Sequence, residues 1–194
     1  GITAASNFPT MNAGGNFFQG AFAGGCPNCT AGGDGFLSKF DNNGNLLWST
    51  YYGGTNDDHP YGLDVSVNGN VYVTGQTKSF NFPLLNKPGA YFLGTHPSIG
   101  SITSFILEFD NAGNQLWATF FDGRVGRDIT TDLNGNIFVT GNTTGTNLTT
   151  LNAGTFFQGT VAGSADVFIT KFNNTGVMQW STFYGGTDID FPYS

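Results

Sequence analysis

Three stretches of this chain share one rhythm of apolar and polar positions. Phe36–Gly54 reads FLSKFDNNGNLLWSTYYGG, Phe105–Gly123 reads FILEFDNAGNQLWATFFDG, and Phe168–Gly186 reads FITKFNNTGVMQWSTFYGG. In each, a short alternating run leads to a turn, and a second run carrying a Trp follows. Alternation with period two puts Phe36, Ser38 and Phe40 on one face of an extended strand and Leu37 and Lys39 on the other. The turns are Asp41-Asn42-Asn43-Gly44, Asp110-Asn111-Ala112-Gly113 and Asn173-Asn174-Thr175-Gly176. Asp or Asn at the first position of a type I turn, with Gly at the fourth, is hairpin chemistry. The Gly can take the left-handed conformation that closes a three-residue loop with a bulge. The predicted unit is a β-hairpin, written three times.

A second kind of hairpin lies between these. Gly62–Val67 and Asn70–Thr74 flank Val67-Asn68-Gly69, and Asp128–Leu133 and Asn136–Thr140 flank Leu133-Asn134-Gly135. Asn-Gly between alternating apolar runs is a strong hairpin signal. A longer segment also recurs: Asn7-Phe8-Pro9 with Phe17-Phe18-Gln19-Gly20, Asn81-Phe82-Pro83 with Tyr91-Phe92-Leu93-Gly94, and Asn147-Leu148-Thr149 with Phe156-Phe157-Gln158-Gly159. Pro and Gly keep it irregular, and its aromatic pair predicts a connection pinned to the sheets. Bulky residues on both strand faces, Leu46, Trp48 and Thr50 against Leu47 and Tyr51, suit a sheet packed between two others rather than a two-sheet sandwich.

The pattern predicts an all-β chain of tandem four-stranded antiparallel blades, part of a β-propeller or propeller-like array. Residues 1–32 read as the tail of a preceding blade, 33–101 and 102–165 as blade repeats, and 166–194 as the first hairpin of a further blade. Phe40, Trp48, Phe109, Trp117, Phe172 and Trp180 are the expected core. Too few strands are present to close a ring of four to eight blades. The expectation is therefore a segment of a longer array, or a subunit completed by neighbouring chains, with apolar sheet faces at both ends.

Composition supports this picture. Only 10% of the 194 residues are charged, while Gly numbers 30 and aromatic residues reach 15%. That mixture suits short strands and tight turns, not helices. A net charge of −7 with six basic residues argues against nucleic acid and anionic membrane surfaces as partners. No apolar run approaches the roughly 18 residues of a membrane helix, so membrane insertion is not expected.

The run DGFLSKFDNNGNLLWSTYYGG, followed by Asp57-Asp58, then Val71-Tyr72-Val73-Thr74-Gly75 and Asn81-Phe82-Pro83, resembles the bacterial β-propeller repeat called SBBP. The resemblance implies a propeller within large secreted or surface proteins of bacteria, generally without an assigned enzymatic activity. The chain departs from that pattern at Phe121-Asp122-Gly123-Arg124, in place of a Gly-Gly-Thr loop, and at Leu148-Thr149, in place of Phe-Pro.

Internal repetition also sorts the candidate chemistry, because residues kept in every unit are structural whereas catalytic residues should appear once. The Asp41–Asn45 turn could present oxygens at alternate positions, as calcium loops do. Its copies decay to Asp110, Ala112 and Asn114, then Asn173, Thr175 and Val177, which favours a plain turn. Asp57 and Asp58, with Asp188 and Asp190, form the better calcium candidate; otherwise they are loop carboxylates accepting backbone N–H bonds. His59 beside them could act as a general base, although no nucleophile is marked and the second loop copy has no His. Cys26 and Cys29, in a Gly-rich loop, are expected as a small disulfide, or as two thiols in a reducing compartment. Asn28, Asn142, Asn147 and Asn173 occupy Asn-X-Ser/Thr sequons. No cofactor other than calcium is indicated.

The functional expectation is a non-enzymatic structural or interaction module, extracellular or at the cell surface: a scaffold, adhesin or assembly subunit. Its partners would be other blades of the same chain or neighbouring chains. The alternative is a propeller that binds or cleaves surface glycans through the Asp57–His59 and Asp188–Asp190 loops.

Overall fold

The computed structural model describes residues 1–24, 32–97, 102–145 and 148–193, and among them every regular element is a strand. Strands β1 (Ile2–Thr3), β2 (Asp34–Phe40) and β3 (Leu46–Tyr52) make a first sheet. Strands β4 (Asp58–Val65), β5 (Val71–Thr77), β6 (Thr103–Phe109) and β7 (Gln115–Phe121) make a second, in chain order. Strands β8 (Val125–Thr131), β9 (Ile137–Thr143), β10 (Asp166–Phe172) and β11 (Met178–Tyr184) make a third. All strand pairs are antiparallel.

Each four-stranded sheet opens with the Asn-Gly hairpin and closes with the Trp hairpin. The periods that start at 33, 102 and 166 therefore run half a sheet out of phase with the sheets. Hairpin β10–β11 is not the start of a new sheet, since β10 pairs along its whole length with β9, from Asp166↔Thr143 to Phe172↔Ile137. Strand β1 pairs with β2 as β5 does with β6: the Phe36 N–H donates to the Gly1 carbonyl at 2.8 Å, where Phe105 faces Gly75.

All five hairpins use one turn. The N–H of the fourth residue donates to the first carbonyl, as in Gly44→Asp41 (3.0 Å), Gly69→Ser66 (2.8 Å) and Gly135→Asp132 (2.9 Å). The Asn-Gly loops differ here from the two-residue turn their sequence suggests. That turn needs positive φ at both central residues, and among the described residues positive φ is confined to Gly, with Gly69 at 82° and Gly135 at 77°. Asn68 and Asn134 are instead third residues of the same four-residue turn.

The connections after β1, β5 and β9 do not pass straight to the next strand. They travel round the outer edge of the sheet and bridge its last strand at Met11↔Ser49, Leu85↔Ala118 and Leu151↔Ser181. An exposed edge strand invites pairing with other chains, and these segments occupy it.

Two seams hold the core. Leu37, Trp48 and Tyr52 meet Val73, Phe105, Leu107 and Phe109 between the first and second sheets. Ile106, Trp117 and Phe121 meet Ile137, Val139, Phe168 and Phe172 between the second and third. At each seam a Trp from the last strand of one sheet packs on a Phe from the third strand of the next. Trp48 and Phe109 lie 6.4 Å apart, stacked at 27°, and Trp117 and Phe172 lie 5.8 Å apart, edge-on at 74°. The middle sheet, packed on both faces, has every residue of β6 buried.

Four of the six expected core residues are thus buried, and two are not. Phe40 is 57% exposed and Trp180 is only half-buried. Phe40 belongs to the position of Phe109 and Phe172, on the face of the first sheet with no described sheet against it. Trp180 belongs to the position of Trp48 and Trp117, on the open face of the third. They are the unmatched members of one contact series.

Candidate functional site: an acidic corner between sheets

The chain leaves β3 through Gly53-Gly54 and enters β4 at Asp58, turning from the first sheet to the second. Asp58 is fully buried, and its Oδ2 accepts the Gly54 N–H at 2.7 Å and the Ser79 hydroxyl at 2.9 Å. Across the corner stands Asp34, the first residue of β2, equally buried. Its Oδ2 accepts the Ala23 N–H at 2.8 Å and the Gln19 side-chain amide at 3.5 Å. Gln19 Oε1 in turn accepts the Gly53 N–H at 3.2 Å. Gly53 sits between the carboxylates: a Cβ there would come 2.7 Å from Asp58 Oδ2 and 2.9 Å from the Asp34 carboxyl carbon. Only glycine fits.

Burial disfavours the charged form of both acids. It raises Asp34 to about 6, with the charge of Asp57 adding to the shift. It raises Asp58 to about 7 against hydrogen bonds from Thr77, Gly54 and Ser79, and the charge of Asp34 acts in the same upward direction. Asp57 points elsewhere and forms an ion pair with Lys78 at 2.7 Å. His59 is half-buried, and burial lowers its pKa. Since Lys78 rather than His59 takes the Asp57 carboxylate, the two are not assembled as a catalytic pair.

The third sheet carries the same construction. Asp166 Oδ2 accepts the Gln158 amide at 2.7 Å and the Ala162 N–H at 2.9 Å, while Gln158 Oε1 accepts the Gly185 N–H at 3.2 Å. Asp190 Oδ2 accepts the Gly186 N–H at 2.8 Å, as Asp58 does from Gly54. A Cβ on Gly185 would meet the Asp166 carboxyl carbon at 2.7 Å and Asp190 Oδ2 at 2.8 Å. Asp190 is therefore the equivalent of Asp58. Asp188 falls at the place of Asn56 and is exposed, so it is not the partner of Asp57.

The middle corner, from β7 to β8, lacks the whole set. Leu93 stands in place of Gln19, Thr103 in place of Asp34 and Arg124 in place of Asp58, as the strand registers show. Of the four aspartates expected from the sequence, the structure keeps Asp58 and Asp190 in the corner, gives Asp57 to Lys78 and leaves Asp188 in solvent. Sequence reasoning missed Asp34, Asp166, Gln19 and Gln158. Their signal was available as the Phe-Phe-Gln-Gly segment and the Asp that opens β2 and β10, present in the first and third copies and replaced in the second.

The turn aspartates behave as turn residues. Asp41 Oδ1 accepts the N–H groups of Asn43 and Asn45 at 2.8 Å, and its Oδ2 accepts the Asn45 amide. Asp110 and Asp132 repeat this arrangement. Cys26 and Cys29, with Asn28 and Asn147, lie outside the described residues. One further network was not legible: buried Glu108 accepts from Lys87 (2.8 Å), Tyr72 (2.9 Å) and Asn70 (2.8 Å). The cleft beside Asp190, lined by Phe156, Gln158, Val167, Tyr184 and Phe191, contains none of Asp57, Asp58 and His59. The two acidic loops do not share it.

Tandem antiparallel sheets packed face to face, each ended by a Trp hairpin and edged by its own connection, define a repeat protein of the β-propeller type. Residues 47–83 and 125–149 match the SBBP family, described as a beta-propeller repeat. The second match includes Leu148-Thr149, one of the two departures from the motif. The chain is also similar to an uncharacterized WD repeat-containing protein of Acanthamoeba polyphaga mimivirus, with 33% identity over 176 residues, 83% of this chain. It spans 12% of that relative's length. No helix among the described residues is long and apolar enough to cross a membrane.

Proposed function

We propose that this chain is a non-catalytic interaction module whose working surfaces are its two outer sheet faces, each shaped to receive a further repeat of the same pattern. The observation that carries this reading is the Trp–Phe series. Trp48 and Trp117 each find a Phe on the following sheet, while Trp180 lies in an open cleft with Leu151, Phe156, Phe157, Ile169 and Tyr184. Phe156 and Tyr184 are 57% and 58% exposed, and Phe40 at the opposite end is 57% exposed. Apolar faces of this kind mark interaction surfaces. A unit offering a Phe to Trp180 and a Trp to Phe40 would continue the seams already present.

The resemblance to SBBP repeats supports a setting in a larger secreted or cell-surface bacterial protein, as scaffold, adhesin or assembly subunit. Repetition of the acidic corner, rather than a single constellation, supports a role without catalysis. Light scattering across protein concentration tests the reading. The expected result is a mass that rises with concentration and falls back to that of a monomer in Trp180→Asp. A monomer at every concentration would contradict it.

A further inference from the structure

Strands β4 and β8 open the second and third sheets, and each carries a bulge at the same place. Tyr61 is the extra residue between the pairs Pro60↔Gly75 and Gly62↔Thr74. Arg127 is the extra residue between Gly126↔Gly141 and Asp128↔Thr140. A bulge leaves its extra residue outside the ladder and re-aims the side chain. The two strands approach closely here, since a Cβ on Gly62 would come 2.7 Å from the Asp128 Cα. The Arg127 guanidinium lies over the Tyr61 ring, 5.4 Å from its centroid. Its Nε donates to Oδ1 of the buried Asn142 at 3.1 Å. Tyr193 follows Pro192 as Tyr61 follows Pro60. Together with Phe191 and Pro192 these side chains line a cleft of about 440 Å³ around Arg127.

Although the chain holds 13 acidic residues, the ion pairs among the described residues are Lys78–Asp57 and Lys87–Glu108. Arg127 has no carboxylate of its own. No acidic side chain lines the cleft, and the terminal guanidinium nitrogens make no hydrogen bond among the described residues. Ring stacking and Asn142 hold the guanidinium in one orientation, with the fork that matches a carboxylate unused. The rings beside it are exposed, Tyr61 by 47% and Tyr193 by 92%, unlike the aromatic residues of the seams. We propose that this cleft binds a ring-bearing carboxylate of the uronic-acid sugar class. Arg127 takes the carboxylate through its two terminal nitrogens. Tyr61 and Tyr193 offer apolar ring faces with polar tips, which suits a sugar ring that has an apolar face and hydroxyls at its edge. A few fixed polar groups among aromatic side chains are the usual make-up of small-molecule clefts. The cleft shares no lining residue with the one around Trp180, so it is separate from the contact proposed above.

The test is nitrogen-15 NMR titration of the chain with sodium glucuronate, and separately with glucose, sodium acetate and sodium benzoate. Glucuronate should give saturable shifts centred on Tyr61, Arg127 and Tyr193. Glucose, which lacks the charged acceptor, should bind at least about tenfold more weakly. Acetate, which lacks the ring, should bind about two- to tenfold more weakly. Arg127→Gln should weaken glucuronate binding by about tenfold or more. Arg124→Gln, the same charge change at an exposed residue outside the cleft, should leave it unchanged. If Arg127→Gln does not fold, Tyr193→Ala decides, because so exposed a side chain carries little of the stability. That variant should weaken binding by about two- to tenfold. No saturable response to glucuronate, or one that persists unchanged in the variants, would overturn the proposal. Tighter binding of benzoate than of glucuronate would overturn the sugar class.

Discussion

Trp117 and Trp180 occupy equivalent positions with different surroundings. Trp117 is fully buried, packs on Phe172 and donates its indole N–H to the Tyr91 carbonyl at 2.9 Å. Trp117→Ala should therefore cost about 3–5 kcal/mol through the cavity it leaves. Trp180→Ala, on an open face, should cost about 1 kcal/mol or less in the monomer. Chemical denaturation of both variants in dilute solution compares them, and equal losses would mean that the seam is not where the energy lies. The turn aspartates make a separate prediction. Hydrogen bonds, first from the Asn45 amide and for Asp132 from the Asn136 amide, then from turn N–H groups, hold these carboxyls below their ordinary range. A depressed pKa contributes stability that is present above the unfolded value and lost as pH falls through the folded one. Melting temperature should thus fall below about pH 4, and less steeply in Asp132→Asn. Asn173 already shows that an Asn side chain can make this turn.

The hairpins were legible in the sequence, because period-two alternation and a Gly at a fixed turn position are local signals. The Asn-Gly loops misled in detail: the dipeptide names a two-residue turn, but Ser66 and Asp132 two positions earlier select the longer one. The phase of the sheets was hidden. Nothing local marks which hairpin opens a sheet, and the β5–β6 and β9–β10 pairings are made across long connections. The acidic corner was half legible for a similar reason, since Asp58 shares a loop with Asp57 whereas Asp34 comes from another sheet. The connections also carry energy that composition does not reveal. Lys87, on one of them, neutralises Glu108 inside the second sheet, with side chains 25% and 1% exposed. Lys87→Met should destabilise the chain by about 2 kcal/mol, because a buried carboxylate keeps only neutral donors. Restoration by the double variant Lys87→Met/Glu108→Gln, read by denaturant melts, would assign the loss to the pair.

The described residues form three sheets with two completed seams and two open faces of opposite kind, one presenting Phe40 and the other Trp180. Because the faces differ, they define a head-to-tail contact rather than a self-complementary one. Phe40→Asp keeps the Trp180 face, and Trp180→Asp keeps the Phe40 face. Sedimentation of the two variants, alone and mixed, is therefore the most direct measurement. Each variant alone should remain monomeric, and the equimolar mixture should form a one-to-one dimer through the remaining Phe40 and Trp180 faces. Dimers of either variant alone, or a mixture that stays monomeric while the wild type associates, would contradict the head-to-tail seam.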